Sequence, residues 1–399
     1  MTFNFAFRMW VKTFHRCYRK PTVLVPLCLI TALGLVFNSK MISLVIPPNL
    51  QNLRKPEIET MKCVPKTNVV FMKTHKCASS TIQNIFMRYG DLHNLTFVLP
   101  ASRNYLGHPA PFKKTMVPDP SRYHVTYNIL THHSRFNYKE MKLLMPNDTV
   151  FVTIVRNPVD LYESLYSYYN LNNVYKKTLL EAIDKLSHNV LNRRVYGRVG
   201  ANQMLFDLGF ESHRNINSTH VKSYVKSLDA IFDLVMVAER MDESLVLLRH
   251  LLCWDLDDVV AFKVNARSKK SSNITNEVRD KLKKLNWKDQ LLYNYFLQRF
   301  EERVAKFGAS SLAEEVTLLN EKRSSWYNHC VKRSKRANII TYEQKRDSNS
   351  TCAALTRSEL NYTDYLRKRQ KYMFPILKQG PHRKGLKIRR RTPFKRGIG

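Results

Sequence analysis

An α/β domain, its central parallel sheet flanked by helices and preceded by one N-terminal transmembrane helix, is the architecture that three features of the sequence predict. Asn68–Met72, Thr149–Val155 and Phe232–Ala238 are short and predominantly apolar, as strands buried on both faces are. Each runs into a segment of helical periodicity, the alternation that produces parallel sheets. Thr22 to Phe37 reads TVLVPLCLITALGLVF without a charge, behind Arg8, Lys12, Arg16, Arg19 and Lys20 and no acid.

A membrane span needs about 20 apolar residues; this run is somewhat short, but Met41–Ile46 resumes it after Asn38, Ser39 and Lys40. The basic flank in front orients the N-terminus to the cytosol, and no small-x-small cleavage site marks a removable signal peptide. The reading is a cytoplasmic tail (1–20), a signal anchor (21–46) and a stem (47–66) containing Pro47, Pro48, Pro56 and Pro65. The remainder then lies in the secretory lumen. Past the anchor stand Cys63, Cys77, Cys253, Cys330 and Cys352 with no CxxC spacing, so one or two disulfides among all but Cys77 are expected. Asn94, Asn147, Asn217, Asn273, Asn349 and Asn361 begin N-x-S/T sequons and are glycosylation candidates.

The formal net charge is +34, from 66 Lys+Arg against 32 Asp+Glu. Such a balance attracts phosphorylated small molecules, acidic membrane surfaces or polyanions. A lumenal domain rarely meets nucleic acid, so none is expected as a partner. The rival from another class is a basic heparin- or nucleic-acid-binding protein without catalysis, to which stretches such as YLRKRQKYMF would lend themselves. Residues 331–399 read as a basic, partly disordered extension: no acid follows Asp364, while 367–399 carry thirteen Lys or Arg.

Between stem and extension, 67–330 form the main domain. After the first strand, Ile82, Ile85, Phe86 and Tyr89 mark a helix from about Ser79, which Gly90 can close. Residues 100–122, rich in proline, read as a long loop. The second strand leads through Arg156 and Asn157 to Pro158, suited to the first position of a helix reaching about Tyr169. The third precedes a helix expected to open at Asp242 as N-cap. Amphipathic segments follow at about 277–307 and 311–330.

Ligands of open parallel sheets sit beyond the carboxyl ends of the strands. The first such turn, in VVFMKTHKCASSTIQNIF (Val69 to Phe86), resembles a phosphate-binding loop but holds no glycine and lacks the Walker spacing. Lys73 and Lys76 supply charge, Thr74, Ser79, Ser80 and Thr81 hydroxyls, and the helix N-terminus a partial positive charge. At the second turn Arg156 can grip a phosphate in bidentate fashion, with Ser164 on the adjacent helix. Two such turns point to a ligand with two separated phosphate groups. No HExxH, acidic cluster or Cys/His grid calls for a metal, and no GxSxG elbow supports a serine hydrolase.

KTHKCASST with its strand is similar to the 5′-phosphosulfate-binding loop of Golgi carbohydrate sulfotransferases, and VRNPVDLYESLYSYY to their 3′-phosphate-binding segment. With HHSRFNY (132–138), NQMLFDLGF (202–210) and DESLVLLRHLLCWDLDDVVAFKVNAR (242–267), the chain resembles the galactose-3-O-sulfotransferase family over about 65–310, closest in the last motif to its galactosylceramide branch. The resemblance implies a P-loop-like sulfotransferase fold, a type II Golgi membrane protein, 3′-phosphoadenylyl sulfate (PAPS) as donor and no metal. It implies as acceptor the 3-hydroxyl of a terminal β-galactose on a glycolipid or glycan; proteoglycan sugars are the alternative on the same fold. Lys73, Thr74, Lys76, Ala78, Ser79, Ser80, Thr81, Arg156 and Ser164 would hold the donor, and Lys73 or Lys76 would stabilise the leaving oxygen. His133 and His75 are the candidate bases, His133 taken first because it matches the family's histidine and resembles that of uronyl 2-O-sulfotransferases. His132 and Cys77 depart from the family pattern and read as structural. Oligomeric state is left open, a homodimer included.

Overall fold

A computed structural model describes residues 63–211, 216–262, 274–336, 340–346 and 348–373. The expected tail, anchor and most of the stem (1–62), the sequon at Asn273 and residues 374–399 lie outside these. No helix among the described residues is long and apolar enough to cross a membrane. The elements below all belong to one compact unit that begins at Val64.

Among the described residues four strands form the central sheet in the order β2-β1-β3-β4, every pairing parallel: β1 (Val69–Met72), β2 (Ile129–Leu130), β3 (Val150–Val155) and β4 (Leu234–Val237). All four are buried along their whole length, because helices cover both faces. The polar side chain within β3 is absorbed locally, Thr153 donating its hydroxyl to the Met72 carbonyl at 2.8 Å.

Helix α1 (Ser79–Leu92) follows β1. It does not stop at Gly90: the glycine lies within it, where a Cβ would come within 2.4 Å of the Phe97 ring and 2.6 Å of the Ile129 side chain. Its smallness serves a close approach, not a cap. After β3, α2 (Pro158–Tyr168) opens with Asn157 accepting from the Val159 N–H at 3.0 Å and Pro158 in its first turn, as expected. A short α3 (Gln203–Asp207) and α4 (Ser218–Asp229) precede β4.

Helix α5 (Met241–Leu252) begins earlier than predicted, and Asp242 lies in its first turn rather than at its cap. The Asp242 carboxylate instead pairs with Arg323 at 2.5 Å. The segment expected at 277–307 is two helices, α6 (Asn276–Leu285) and α7 (Trp287–Phe307), broken at Asn286. Fully buried Asn286 turns its side chain to the Asn202 N–H (2.9 Å) and the Leu282 carbonyl (3.0 Å), a local alternative to continuing the helix. Helix α8 (Ala309–Cys330) follows.

A domain boundary at 330 is not observed. Beyond it come an antiparallel hairpin, β5 (Val331–Arg336) and β6 (Ile340–Gln344), then α9 (Ser350–Thr356) and α10 (Glu359–Met373). A disulfide joins Cys330 to Cys352; Cys63 and Cys253 are also disulfide-bonded, and Cys77 is a buried free thiol. Helix α10 packs on α1. Arg369 pairs with Asp91, Tyr362 donates to the same carboxylate at 3.1 Å, and Gln370 bonds both backbone groups of Phe97 at 2.9 Å. The basic composition that reads as a solvated tail is, up to residue 373, a paired and partly buried helix. Of the sequons, Asn94, Asn147, Asn217, Asn349 and Asn361 are exposed.

Candidate active site

The loop after β1 crosses the end of the sheet without glycine by placing Lys76 (φ 59°) and Ala78 (φ 57°) in the left-handed region. A non-glycine residue pays a conformational cost there, and such strain collects at functional loops. The surroundings hold the loop in place. Thr74 donates its hydroxyl to the Ile154 carbonyl at 2.7 Å, Ser79 donates to the Thr74 carbonyl at 2.7 Å, and the Arg156 guanidinium donates to the Lys76 carbonyl at 2.8 Å. The last contact ties the two turns together, which their strands' adjacency in the sheet makes possible.

Residues following β1, β3 and β4 line a cavity of about 1700 Å³. A single drug-sized ligand needs about 300–1,000 Å³, so there is room for two substrates. His75, Lys76, Ala78, Ser79, Ser80, Thr81, His133, Arg156 and Ser164 all border it. Buried Ser164 does not face solvent, and Arg156 is taken up by the Lys76 carbonyl. Lys73 and Thr74, expected to touch the donor, are not on the cavity wall: both are buried behind it. Lys76 places its ammonium 3.6 Å from the centre of the Tyr168 ring. The Cys77 thiol donates to the His75 carbonyl at 3.4 Å, and burial pushes its pKa up, so it is no nucleophile.

Lys73 meets a residue for which the sequence offers no signal. Its ammonium lies 2.6 Å from the carboxylate of Glu359, in the first turn of α10, and 2.6 Å from Gln83. The same carboxylate accepts from Ser80 and Asn104, each at 2.7 Å. Burial alone would raise the Glu359 carboxyl, but Lys73, Asn104 and Ser80 outweigh it and hold the pKa at about 2. Burial pulls Lys73 below its usual value against the opposing carboxylate. With three donors on Glu359, the ionised pair is the state this geometry supports. Glu359 itself borders the cavity.

The histidines form a second cluster beside the loop. The rings of His75 and His133 stack with centroids 4.2 Å apart, and Tyr105 stacks on His133 at 4.9 Å. His75 Nδ1 lies 2.8 Å from Asp207, whose other oxygen lies 3.3 Å from His108 Nε2; all three residues are buried. Burial would raise the Asp207 carboxyl, yet His75 and His108 hold it well below the usual carboxylate range. Burial, reinforced by the Lys73 charge, lowers His133 well below an ordinary histidine, and its Nδ1 has no hydrogen-bond partner. His132 points elsewhere, toward the Thr363 hydroxyl at 3.0 Å, and burial pushes it down to about 3. It is part of the packing of α10.

Sequence reasoning gathered the loop, both histidines, Arg156 and Ser164, and missed Asp207, Glu359, Tyr105 and His108. For Asp207 a signal existed, since it is a lone acid in the apolar run Leu205, Phe206 and Leu208. An acid there requires buried partners. The arrangement as a whole can seat an anion against a helix N-terminus, Lys76 and Arg156, and exchange a proton with a pair of imidazoles.

A family model described as galactose-3-O-sulfotransferase matches residues 8–369, a range that includes Glu359. The chain is 36% identical to galactosylceramide sulfotransferase of Homo sapiens over 278 residues, 68% of this chain and 65% of that protein's length. It is 38% identical to galactose-3-O-sulfotransferase 2 of Sus scrofa over 279 residues (67% and 69%) and 30% identical to galactose-3-O-sulfotransferase 3 of Mus musculus over 384 (84% and 88%).

Proposed function

The chain belongs to the galactose-3-O-sulfotransferase family, and on that premise we propose that it transfers a sulfuryl group from PAPS to the 3-hydroxyl of a terminal β-galactose, on a galactosylceramide-like glycolipid or a galactose-capped glycan. The observation that carries this reading is the single cavity bordered by both sheet turns, Ser79–Thr81 on one and Arg156 with Ser164 on the other. A donor with phosphate at both ends needs two such grips a fixed distance apart.

PAPS supplies the sulfuryl group and departs with the electron pair of the broken S–O bond as adenosine 3′,5′-bisphosphate. The loop and the N-terminus of α1 hold the phosphosulfate end, and Arg156 and Ser164 the 3′-phosphate. Lys76, on the cavity wall, offsets charge on the leaving oxygen, while Lys73 shapes the loop from behind through Glu359. One imidazole of the stacked His75 and His133 pair receives the proton that the galactose hydroxyl loses. We place the protein in the Golgi membrane as a type II enzyme anchored at 21–46, with its cavity lumenal.

The test is to incubate the full-length protein with labelled PAPS and galactosylceramide, lactosylceramide, a galactose-capped N-glycan and their 3-deoxygalactose counterparts. Transfer to one or more galactosides, lost in the matching 3-deoxy compound, is expected. Transfer that survives removal of the 3-hydroxyl would refute the assignment.

A further inference from the structure

Asp207 ends α3 directly beneath the donor loop, and its carboxylate collects four N–H donors. Oδ2 accepts from the backbone N–H of His75 and from His75 Nδ1, both at 2.8 Å. Oδ1 faces His108 Nε2 at 3.3 Å and accepts from the Gln203 side-chain amide at 2.8 Å. An ionised carboxylate only accepts, so the His75 nitrogen facing it carries a proton. In the neutral ring the lone pair then sits on Nε2. That nitrogen is 3.3 Å from the Tyr105 hydroxyl, and His75 borders the cavity.

His133 is held differently, by a hydrogen bond to the backbone of Lys73. Its Nδ1 is buried without a partner, and among the described residues no carboxylate is a source of its pKa shift, to balance a charge gained on protonation. The two stacked rings are therefore chemically unequal, and the inequality comes from α3.

We infer that Asp207 is a positioning residue: it fixes the Nδ1–H tautomer of His75, so that His75 Nε2, rather than His133, takes the proton of the galactose 3-hydroxyl. This rests on the sulfuryl-transfer reading above. As the hydroxyl oxygen bonds to sulfur, its O–H bond breaks and Nε2–H forms. The S–O bond to the bisphosphate breaks with its electron pair leaving on oxygen. Asp207 stays ionised and faces the imidazolium across the Nδ1 hydrogen bond. His133 serves as the stacking surface that holds the His75 plane.

The experiment compares the full-length wild type with Asp207→Asn, Asp207→Glu, His75→Asn, His133→Asn and the Asp207→Asn/His75→Asn double variant. It reads kcat on a reactive galactoside and, separately, equilibrium affinity for adenosine 3′,5′-bisphosphate. Asp207→Asn should lower kcat about 10²–10⁴-fold, the range for loss of a correctly oriented general base, while bisphosphate affinity stays within about threefold. Glu should restore at least about tenfold of that loss, because it keeps the accepting charge; a packing role would favour the isosteric Asn. Adding His75→Asn to Asp207→Asn should cost less than about tenfold more, since the two act as one unit. Asp207→Asn within about threefold of wild-type kcat, or multiplying losses in the double variant, or a greater loss in His133→Asn than in His75→Asn, would overturn the inference. Should Asp207→Asn lose bisphosphate binding through misfolding, the comparison of Asp207→Glu, His75→Asn and His133→Asn decides the matter. A wild type inactive on every galactoside defeats the functional reading instead; an active wild type indifferent to Asp207→Asn defeats only this inference.

Discussion

The ammonium of Lys73, at the end of the first strand, and the carboxylate of Glu359, at the start of the last described helix, meet at 2.6 Å inside the protein. The pair joins the donor loop to a segment that the sequence reads as an appendage. Removing one partner of a buried pair strands the other charge, at about 3–5 kcal/mol. Glu359→Gln should therefore lower unfolding free energy by about that amount in denaturant titrations at neutral pH. Adding Lys73→Met should recover part of the loss. A change below about 1 kcal/mol would show that the pair is not an interior one.

The same pair predicts a pH dependence. The Glu359 pKa is held at about 2 against an ordinary 4.5, so its stabilisation is fully present above about pH 4.5 and fades as pH falls toward 2. The Tm gap between wild type and Glu359→Gln should be level from pH 7 to 5 and shrink below. A gap that widens on acidification would contradict the ionised pair.

Arg156→Ala removes the guanidinium that borders the cavity and bonds the Lys76 carbonyl. Loss of a hydrogen bond to a charged group is worth about 1.5–3 kcal/mol, so affinity for adenosine 3′,5′-bisphosphate should fall about 10–150-fold by calorimetry with an unchanged circular dichroism spectrum. Unaltered affinity would move the 3′-phosphate away from this turn.

Truncation distinguishes an appendage from an integral segment. Ending the chain after residue 373 should preserve galactoside sulfation. Ending it after 366 removes Arg369 and Gln370, which clamp α10 to Asp91 and Phe97, and ending it after 330 removes Glu359 itself; activity should drop with the first cut and vanish with the second. Full activity in the 330 form would show that α10 has no part in the site.

His75, His108 and Asp207 bring ligand-type atoms within 4.8 Å of one another, a cluster the sequence does not reveal. The hydrogen-bond reading predicts that chelation with EDTA leaves turnover unchanged. Activity lost to EDTA and restored by a divalent cation would reassign the cluster as a metal site.

What the sequence by itself determined is local in origin. Apolar runs gave β1, β3 and β4, the N-P step opened α2, and the charged loop with Arg156 and Ser164 marked residues that border the cavity, because each signal lies within a few residues of the element it specifies. Tertiary structure decided the rest. That β1 and β3 are neighbours, that Asp207 lies under His75, and that Glu359 reaches Lys73 are consequences of sheet order and helix packing, which bring distant residues together. The basic stretch at 359–373 shows the reason most directly: composition records how many charges a segment carries, but whether Arg369 faces water or the carboxylate of Asp91 depends on where the helix docks.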